Sequence, residues 1–396
     1  MTLNLAATPD ARRRAPLAGV QNTVPPRTPE RVGIVLPNWI GDVVMATPAL
    51  RALRRDYGPD SQLIGVMNPI AADVLAGTEF VDEIVLYRRR SSAREQRLWS
   101  VGSQLRRLDL DTLLLFTNSL SSGWLGFLSR ARQRIGYARH GRRLLLTQAL
   151  PAPRAGVRLQ PISAVDYYLQ LAYAVGCPEE APHLQLAVSP ADEDAADAVL
   201  REIGLDAGPP LVVLNNGGAY GGAKRWPAAH LVGLSRMVVE HTDASVLVVC
   251  GPAERSEAAL VEREAASPRV RSLAGREPSI VLTKACIARS SVVVSTDSGL
   301  RHFAAAFGIP CVTLFGPSDP RWSHNYHANE RILQLDLPCS PCGRRTCPLG
   351  HHQCLREITA KAVLNEVLKL LDDRLPPEAA GRPKSERRLV AQPCAD

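Results

Sequence analysis

The chain alternates short apolar runs with amphipathic stretches over most of its length. Aliphatic and β-branched residues follow one another in Arg31–Leu36, Thr112–Phe116, Leu211–Leu214 and Ser291–Ser295, which predicts buried strands. Apolar residues with helical spacing fill the intervals, as in Asp42–Arg55. Strands that alternate with helices predict parallel sheets covered by helices on both faces.

The pattern occurs twice, on either side of a proline-rich segment near residues 178–190. We therefore predict two Rossmann-like domains that face each other, an N-terminal one over residues 31–186 and a C-terminal one over residues 187–375. Residues 1–30 and 376–396 are rich in proline and charged or small residues and lack periodicity. They are predicted to be disordered tails.

Composition and charge narrow the class of protein. The chain has 396 residues, of which 45% are hydrophobic, and it carries a formal net charge of +8. It has no apolar run of membrane-spanning length and no signal-peptide core, so a cytoplasmic protein is expected. The positive charge favours acidic partners, but no recognition motif or interleaving of basic and aromatic residues supports nucleic acid.

One strand–turn–helix–strand unit carries candidate chemistry. The turn Asp297-Ser-Gly299 follows a buried strand and precedes the helix predicted at Leu300–Phe307 and the strand at Cys311–Phe315. Asp297 and Ser298 are residue types that cap helices, and the start of such a helix at the carboxyl edge of a sheet favours an anion. An ordinary capped helix without a ligand has the same sequence pattern.

Two other turns lie at equivalent positions. The loop Asn215–Pro227 has four glycines, followed by Lys224 and Arg225, and suits a diphosphate, although it lacks the P-loop pattern. A solvated loop with surface cations and no ligand would have the same sequence pattern. In the first domain, Gly41-Asp42 places one carboxylate at a helix start, where an acid can also simply stabilise the helix dipole.

Three motifs together resemble the bacterial ADP-heptose:lipopolysaccharide heptosyltransferases of glycosyltransferase family 9. They are Asn38–Leu50, Gly217–Pro227, and Asp297–His302 with Phe315–Pro320. The Trp-Ile-Gly-Asp form of the first motif and the whole of the second are most similar to heptosyltransferase II. The resemblance extends from about Arg31 to Leu371. It implies a GT-B fold and an inverting transfer of heptose to the lipopolysaccharide inner core, without a cofactor or a required metal.

The resemblance also implies roles for individual residues. Asp42 matches the general base and Lys224 the donor-phosphate lysine, which are the two catalytic candidates. Donor binding is assigned to Gly217, Lys224, Arg225, Asp297, Ser298, Gly299, Leu300 and His302. Acceptor binding is assigned to Trp39 and Gly41.

The chemistry of the residues agrees with these roles. Glycosyl transfer needs a base for the acceptor hydroxyl and positive charge for the departing diphosphate, and these residue types supply both without Mg²⁺. No Asp-x-Asp stretch at a strand end indicates a metal site. The partners implied are ADP-heptose and the lipid A-core acceptor, with a peripheral location at the inner face of the inner membrane. The basic segment Arg130–Arg143 could meet this acidic acceptor or could be a solvated face.

Two other functions fit the same pattern of residues. A GT-B transferase could use a different nucleotide sugar and glycan acceptor. A nucleotide-binding module without catalysis would keep the glycine-rich loop and the Ser298 turn but would not need Asp42.

Four of the nine cysteines form a cluster, Cys339-x2-Cys342-x4-Cys347-x6-Cys354, with His351 and His352 inside it. A structural zinc, reduced packing thiols and a redox pair are all compatible with this spacing, which departs from a standard zinc knuckle. Because the cluster follows the strand predicted at Arg331–Leu335, we expect it to lie in a loop without a catalytic part.

Overall fold

The structure is a computed structural model and describes residues 3–5, 30–155, 158–205, 208–217 and 220–373. Within these ranges the chain forms two α/β domains, each built on its own mainly parallel sheet. A short strand, β1 (Leu3–Leu5), lies at the edge of the second sheet. The prediction of two facing Rossmann-like domains is confirmed, while the boundary between residues 186 and 187 stays a prediction.

The first domain contains a six-stranded parallel sheet. Its strands are β2 (Arg31–Val35), β3 (Gln62–Met67), β4 (Glu83–Leu86), β5 (Thr112–Leu115), β6 (Gln133–Tyr137) and β7 (Gln148–Leu150). Its helices are α1 (Ile40–Met45), α2 (Thr47–Tyr57), α3 (Pro69–Leu75), α4 (Leu98–Arg107), α5 (Leu120–Ser129) and α6 (Ala164–Tyr173). The strand order is β4-β3-β2-β5-β6-β7, so the direction of winding reverses between β2 and β5. Ligands of open α/β sheets bind at this reversal, and the turn after β2 carries Asp42.

The second domain repeats this design. Its strands are β10 (Leu211–Asn215), β11 (Ser245–Val249), β12 (Val270–Ser272), β13 (Val292–Thr296), β14 (Cys311–Phe315) and β15 (Glu330–Leu335). Its helices are α7 (Pro190–Glu202), α8 (Ala228–His241), α9 (Arg255–Ala265), α10 (Ile280–Ala288), α11 (Arg301–Ala306), α12 (Gln353–Arg356) and α13 (Ala360–Asp372). The order β15-β14-β13-β10-β11-β12 places the reversal between β10 and β13. The two candidate turns of this domain follow β10 and β13. A small antiparallel pair, β8 (Arg154–Ala155) and β9 (Arg158–Leu159), lies outside both sheets.

Three sequence predictions of local structure need correction. The single helix predicted at Asp42–Arg55 is two helices, because Pro48 has no N–H to continue the hydrogen-bond ladder. The basic helix predicted around Arg94–Arg107 begins with a separate 3-10 turn, and α4 itself starts at Leu98. The helix predicted at Leu300–Phe307 is the six-residue α11.

The predicted disordered tails are only partly within the described residues. Residues 3–5 form β1, which pairs antiparallel with β15, so the prediction of disorder is wrong for these three residues. The alternation Leu-Asn-Leu suits a strand on the open edge of a sheet. The remainder of residues 1–29 and the predicted C-terminal tail at 376–396 lie outside the described residues.

The two domains share one hydrophobic core. A single cluster of buried side chains includes Val43 and Leu50 of the first domain and Cys286 and Phe303 of the second. The buried Lys284 of α10 donates hydrogen bonds across this interface to the carbonyls of Val74 and Ala76, at 3.3 and 2.6 Å. None of the helices in the described ranges is long and apolar enough to cross a membrane.

Candidate active site

The turns at the two reversal points meet across the cleft at a pair of glycines. A Cβ atom on Gly299 would lie 2.9 Å from the Gly41 nitrogen and 3.0 Å from the Ile40 Cβ. A Cβ on Gly41 would lie 3.0 Å from the His302 Cδ2 and 3.2 Å from the Gly299 Cα. Both positions therefore need glycine for close approach, and their contact fixes the distance between the candidate acceptor and donor sides.

Asp42 follows this contact on the first-domain side. Burial is the main reason that its pKa rises from 3.8 to about 6, and the negative charge of Asp297 raises the pKa further. Lys224 opposes these effects. A carboxyl group with a pKa near 6 is a stronger base than an exposed one and is still mostly ionised at neutral pH.

Asp297 is the centre of a buried ionic network on the second-domain side. Its Oδ2 lies 2.5 Å from the Lys224 Nζ and accepts a hydrogen bond from the Ser318 hydroxyl at 2.6 Å. Its Oδ1 accepts from the Ser323 hydroxyl at 3.3 Å and lies 3.5 Å from the Arg301 Nε. Burial alone would raise the pKa of Asp297, but the charges of Arg301 and Lys224 and these hydrogen bonds hold it at about 2.

The network continues behind Asp297 through Arg301. This fully buried guanidinium pairs with Glu330 at 2.5 Å, and Glu330 also accepts a hydrogen bond from the Thr313 hydroxyl at 2.5 Å. Arg301 donates to the carbonyl oxygen of Ser323 as well. Because Asp297 is held from two sides, it presents a fixed carboxylate to the Lys224 ammonium.

His302 is buried against Gly41. Burial and the nearby charge of Arg301 keep the pKa of His302 well below its usual value, so the ring is neutral. The Asn325 side-chain oxygen accepts from the His327 backbone, which leaves its amide NH₂ to donate to the His302 Nδ1 at 3.3 Å. The proton of the ring is thereby assigned to Nε2, which lies on the side of Gly41.

The turn before α11 does not cap the helix as predicted. The N-cap position is Leu300, which has no side-chain cap. The Asp297 carboxylate is paired with the Lys224 ammonium instead. The Ser298 hydroxyl instead accepts a hydrogen bond from the Asn215 side-chain amide at 2.6 Å and lies 3.1 Å from the Ser295 hydroxyl. These contacts tie the ends of β10 and β13 together and fix the shape of the turn.

The glycine-rich loop surrounds Lys224. Gly222–Lys224 form a 3-10 turn, and the Lys224 Nζ lies 4.4 Å from the centre of the Tyr220 ring. Arg225 points away from Asp297 and pairs with Glu254 at 3.3 Å. Glu254 also lies beside Gly217, where a Cβ atom would come within 3.0 Å of its carboxyl carbon.

The structure brings together most of the residues predicted from sequence, but not all. Gly41, Asp42, Lys224, Asp297, Ser298, Gly299 and His302 lie at the contact between the two domains. Gly217 and Arg225 form a neighbouring group around Glu254. Trp39 is half exposed in front of α1, and Leu300 packs against the shared core. Their assignments to acceptor and donor binding stay predictions.

Sequence reasoning missed several polar residues that shape the site. They are Asn215, Arg301, Ser318, Ser323, Asn325 and Glu330. Asn215 and Ser318 had a sequence signal, since Asn215 is the last residue of β10 and Ser318 lies three residues after the end of β14. No sequence signal pointed to Ser323 and Asn325, because they lie in an irregular segment whose hydrogen-bond partners are determined by the fold.

The cysteine cluster lies in and after the loop that follows β15, as expected. Burial and the neighbouring charges of Cys339, Cys342 and Cys347 raise the pKa of Cys354 to about 11. All four residues have free thiols. Among the described residues, no group of three or more histidine, cysteine or acidic side chains is arranged to hold a metal ion.

Comparisons with solved structures identify the class of fold. The structure of Escherichia coli ADP-heptose lipopolysaccharide heptosyltransferase II superimposes with a TM-score of 0.71, at 24% identity, over 86% of this chain and 98% of that one. An E. coli heptosyltransferase with ADP superimposes with a TM-score of 0.66, at 20% identity, over 86% and 99%. The fold is therefore the GT-B fold of glycosyltransferases.

Sequence comparison defines the family. The model of glycosyltransferase family 9 (heptosyltransferase) matches residues 98–353, and the chain belongs to this family. Lipopolysaccharide heptosyltransferase 2 of Salmonella typhimurium is 29% identical over 87% of this chain and 99% of its own length. Lipopolysaccharide heptosyltransferase 1 of Pseudomonas aeruginosa is 30% identical over 80% and 87%. The chain is thus a glycosyltransferase, as predicted.

The contact between the two glycines leads to a prediction about domain closure. Gly299→Ala should force the two turns apart, at a cost of about 1–3 kcal/mol or a reduced population of the closed form. We expect kcat to fall at least tenfold, measured in a transfer assay, because Asp42 and Lys224 would no longer be held at their working distance. Gly275→Ala is the matched control, since a Cβ atom there meets open space. Equal activity of the two variants would contradict a role for this contact.

Proposed function

We propose that the protein transfers heptose from ADP-heptose to the inner core of lipopolysaccharide, with inversion at the anomeric carbon. The carrying observation is the apposition of a buried carboxyl of raised pKa, Asp42, and the Lys224–Asp297 pair across the Gly41–Gly299 contact. The relatives named lipopolysaccharide heptosyltransferase 2, which this chain matches over nearly their whole length, support the donor and the acceptor.

In the proposed reaction Asp42 is the general base. An acceptor hydroxyl gives its proton to the Asp42 carboxylate while its oxygen forms a bond to the anomeric carbon of the heptose. The bond from that carbon to the β-phosphate oxygen breaks, and ADP leaves with the electron pair. The base therefore acts from the first domain and the leaving group departs towards the second.

Lys224 is proposed to stabilise the charge that develops on the departing diphosphate. In the structure its ammonium is held by Asp297 and lies in the loop between β10 and α8. A fixed cation at this place needs no reorganisation during the reaction, which is the condition under which such groups are most effective. Asp297 is proposed to position Lys224, and the neutral His302 to offer its Nε2 proton at the cleft beside Gly41.

The identity of the substrates is tested by incubating the purified protein with ADP-heptose and a lipid A-core that lacks the added heptose. We expect a product heavier by one heptose, detected by mass spectrometry, and no product with UDP- or GDP-sugars. ADP should also raise the melting temperature more than UDP or GDP does, since it binds the folded state selectively. Transfer from another nucleotide sugar, with none from ADP-heptose, would contradict the proposed donor.

The reaction is expected to proceed without an added divalent metal. Lys224 brings a cationic side chain to the proposed diphosphate site, where other enzymes place Mg²⁺, while Arg225 beside it is paired with Glu254. Activity after exhaustive dialysis against EDTA should equal that of the untreated protein within about twofold. A strict requirement for added Mg²⁺ or Mn²⁺ would show that the protein cations are insufficient.

The proposed acceptor is anchored in a membrane by its lipid, and the proposed donor is a nucleotide sugar. We therefore propose that transfer takes place at the cytoplasmic face of the inner membrane. The distribution of charge over the first domain supports this location.

A further inference from the structure

The positive charge of the chain is concentrated in one segment of the first domain. Residues 88–143 contain thirteen arginines, no lysine and three acidic residues, a net charge of +10, whereas the whole chain carries +8. The remaining residues are thus slightly acidic in sum. Ten of these arginines are exposed, but Arg142 is completely buried and donates to backbone carbonyls and to Ser122, so it supports the surface from beneath.

The same segment exposes large apolar side chains. Trp99 of α4 is 71% exposed, and Leu144, in the 3-10 turn Arg142–Leu145, is 93% exposed. On α5, Leu120, Trp124 and Phe127 are exposed as well. Single exposed apolar residues are ordinary, but five on adjacent elements among arginines are not.

These side chains belong to one surface because their elements pack together. The parallel sheet makes α4 and α5 run in the same direction, and a Cβ atom on Gly102 would lie 2.7 Å from Leu128. This register places Trp99 at the level of the turn that contains Trp124. On the other side of α5, a Cβ on Gly123 would lie 3.0 Å from the Leu145 side chain. Trp124 and Phe127 are also in edge-to-face contact, with ring centres 5.7 Å apart.

We define the outer basic–aromatic surface as Trp99, Leu120, Trp124, Phe127 and Leu144 with the exposed Arg89, Arg94 and Arg143, which lie near these residues in the chain. It covers the face of the first sheet whose core is separate from the core shared between the domains. The surface therefore points away from the second domain. One end of it reaches the cleft, because α5 begins at the carboxyl edge of β5.

We propose that the outer basic–aromatic surface docks the protein on a bilayer rich in anionic phospholipid. Tryptophan and phenylalanine partition into the boundary between headgroups and acyl chains, and arginines gain from the negative surface potential. Charge complementarity selects this occupant, since a cationic surface disfavours a second copy of itself. The inference rests on the proposed function, which supplies the reason for a membrane location, namely an acceptor that remains anchored by its lipid.

Docking in this orientation would bring the acceptor side of the cleft to the membrane. The N-terminal end of α5 is close to the turn of Asp42, because β2 and β5 are neighbouring strands. The glycan of a lipid-anchored acceptor could then enter the cleft while its acyl chains stay in the bilayer. The donor side, on the second domain, would remain open to water.

The binding step is tested by sedimentation of the full chain with vesicles. We expect it to bind vesicles of phosphatidylglycerol and phosphatidylethanolamine at least tenfold more tightly than vesicles of phosphatidylcholine. Binding should weaken as salt is raised, because surface charges are screened. The double variant Trp99→Ser/Trp124→Ser should bind at least tenfold more weakly, and the triple variant Arg89→Glu/Arg94→Glu/Arg143→Glu at least a hundredfold.

Two matched controls use residues of the second domain. Trp322→Ser removes a tryptophan whose exposure, 43%, equals that of Trp124. Arg201→Glu/Arg263→Glu reverses two exposed arginines far from the surface. Both controls should bind vesicles as the unchanged protein does. Melting temperatures within about 2 °C of the unchanged protein would show that each variant is folded.

Three results would overturn the proposal: no binding to anionic vesicles, equal loss of binding in the controls, or no effect of the surface variants. Dimerisation that depends on Trp99 and Trp124, without vesicle binding, would assign the surface to a second copy instead. A soluble core oligosaccharide without lipid separates this inference from the proposed function. The surface variants should use that acceptor normally and lose activity only on acceptor embedded in vesicles. If the unchanged protein transfers no heptose to either acceptor, the proposed function fails, whatever the vesicle result.

Discussion

Asp42→Asn is expected to lower kcat by about 10²–10⁴-fold while the apparent affinity for the donor changes little. Asparagine keeps the shape of the side chain, but it is uncharged and cannot accept the proton of the acceptor hydroxyl. Steady-state kinetics with separate variation of donor and acceptor measure both quantities. Glu193→Gln, which removes an acid from the first turn of α7, is the control for an effect on the helix dipole and should be nearly silent.

The pH dependence should change with the same substitution. Asp42 must be ionised to act as a base, so kcat/KM of the unchanged enzyme should fall as the pH drops through about 6, the pKa of this carboxyl. The variant should lose this step from its profile. A folded Asp42→Asn protein with near-normal turnover would remove Asp42 from the mechanism.

The free energy of unfolding should depend on the pH and on this substitution in the direction opposite to that of activity. Because the pKa of Asp42 is about 6 in the folded protein and 3.8 as its ordinary value, the folded state binds the proton more tightly than the unfolded chain. This contribution to stability is fully present below pH 3.8 and is lost as the pH rises through about 6. At pH 8 the ionised carboxyl therefore disfavours folding, by at most about 3 kcal/mol. Asp42→Asn should raise the free energy of unfolding at pH 8, measured by denaturant titration, although it destroys activity.

Lys224→Met should lower kcat/KM by about 10²–10³-fold and raise the KM for the donor, since the ammonium is proposed to contact the diphosphate in both the ground state and the transition state. Methionine keeps much of the aliphatic stem and removes the ammonium, which lies 4.4 Å from the centre of the Tyr220 ring. Lys224 also lowers the pKa of Asp42, so its loss should shift the acidic limb of the pH profile upwards. A lysine far from Asp42 would not move that limb.

The exposed Lys361 of α13 provides the matched control, as Lys361→Met removes a lysine of the same kind far from the cleft. It should leave both the kinetics and the pH profile unchanged. An unaltered KM for the donor in Lys224→Met would contradict the assignment of Lys224 to the diphosphate, and an unchanged profile would contradict its effect on the pKa of Asp42. Loss of folding would be recognised from the melting temperature before kinetics are interpreted.

The fold was largely predictable because its elements are set by local patterns. Runs such as Cys311–Phe315 allow only a buried strand, and their alternation with helices leaves few topologies. The position of Asp42 was predictable in kind, since it follows a strand at the edge where parallel sheets bind ligands. The break between α1 and α2, just before Thr47, was also predictable, because Pro48 follows immediately.

The partners within the site could not be read from the sequence. Lys224 and Asp297 are 73 residues apart, and only the neighbouring positions of β10 and β13 bring them together. Asp297 has the residue type of a helix cap, and nothing local shows that a distant lysine and Ser318 occupy it instead. The buried Arg142 shows the same limit in a basic segment, because burial there depends on carbonyls of a different strand and loop.

The glycine contact between the domains has a consequence for the strength of the base. Part of what keeps Asp42 from water is the second domain, which touches the first at Gly41 and carries the charge of Asp297. If the cleft opens to admit substrates, water returns to Asp42 and its proton affinity falls towards that of an ordinary carboxylate. Closure then takes up protons between about pH 4 and pH 6, so the movement of the domains and the titration of the base are one coupled equilibrium. Between these pH values the protein would release a proton to solvent each time the cleft opens, and the proton affinity of Asp42 would be highest only while the two domains are in contact.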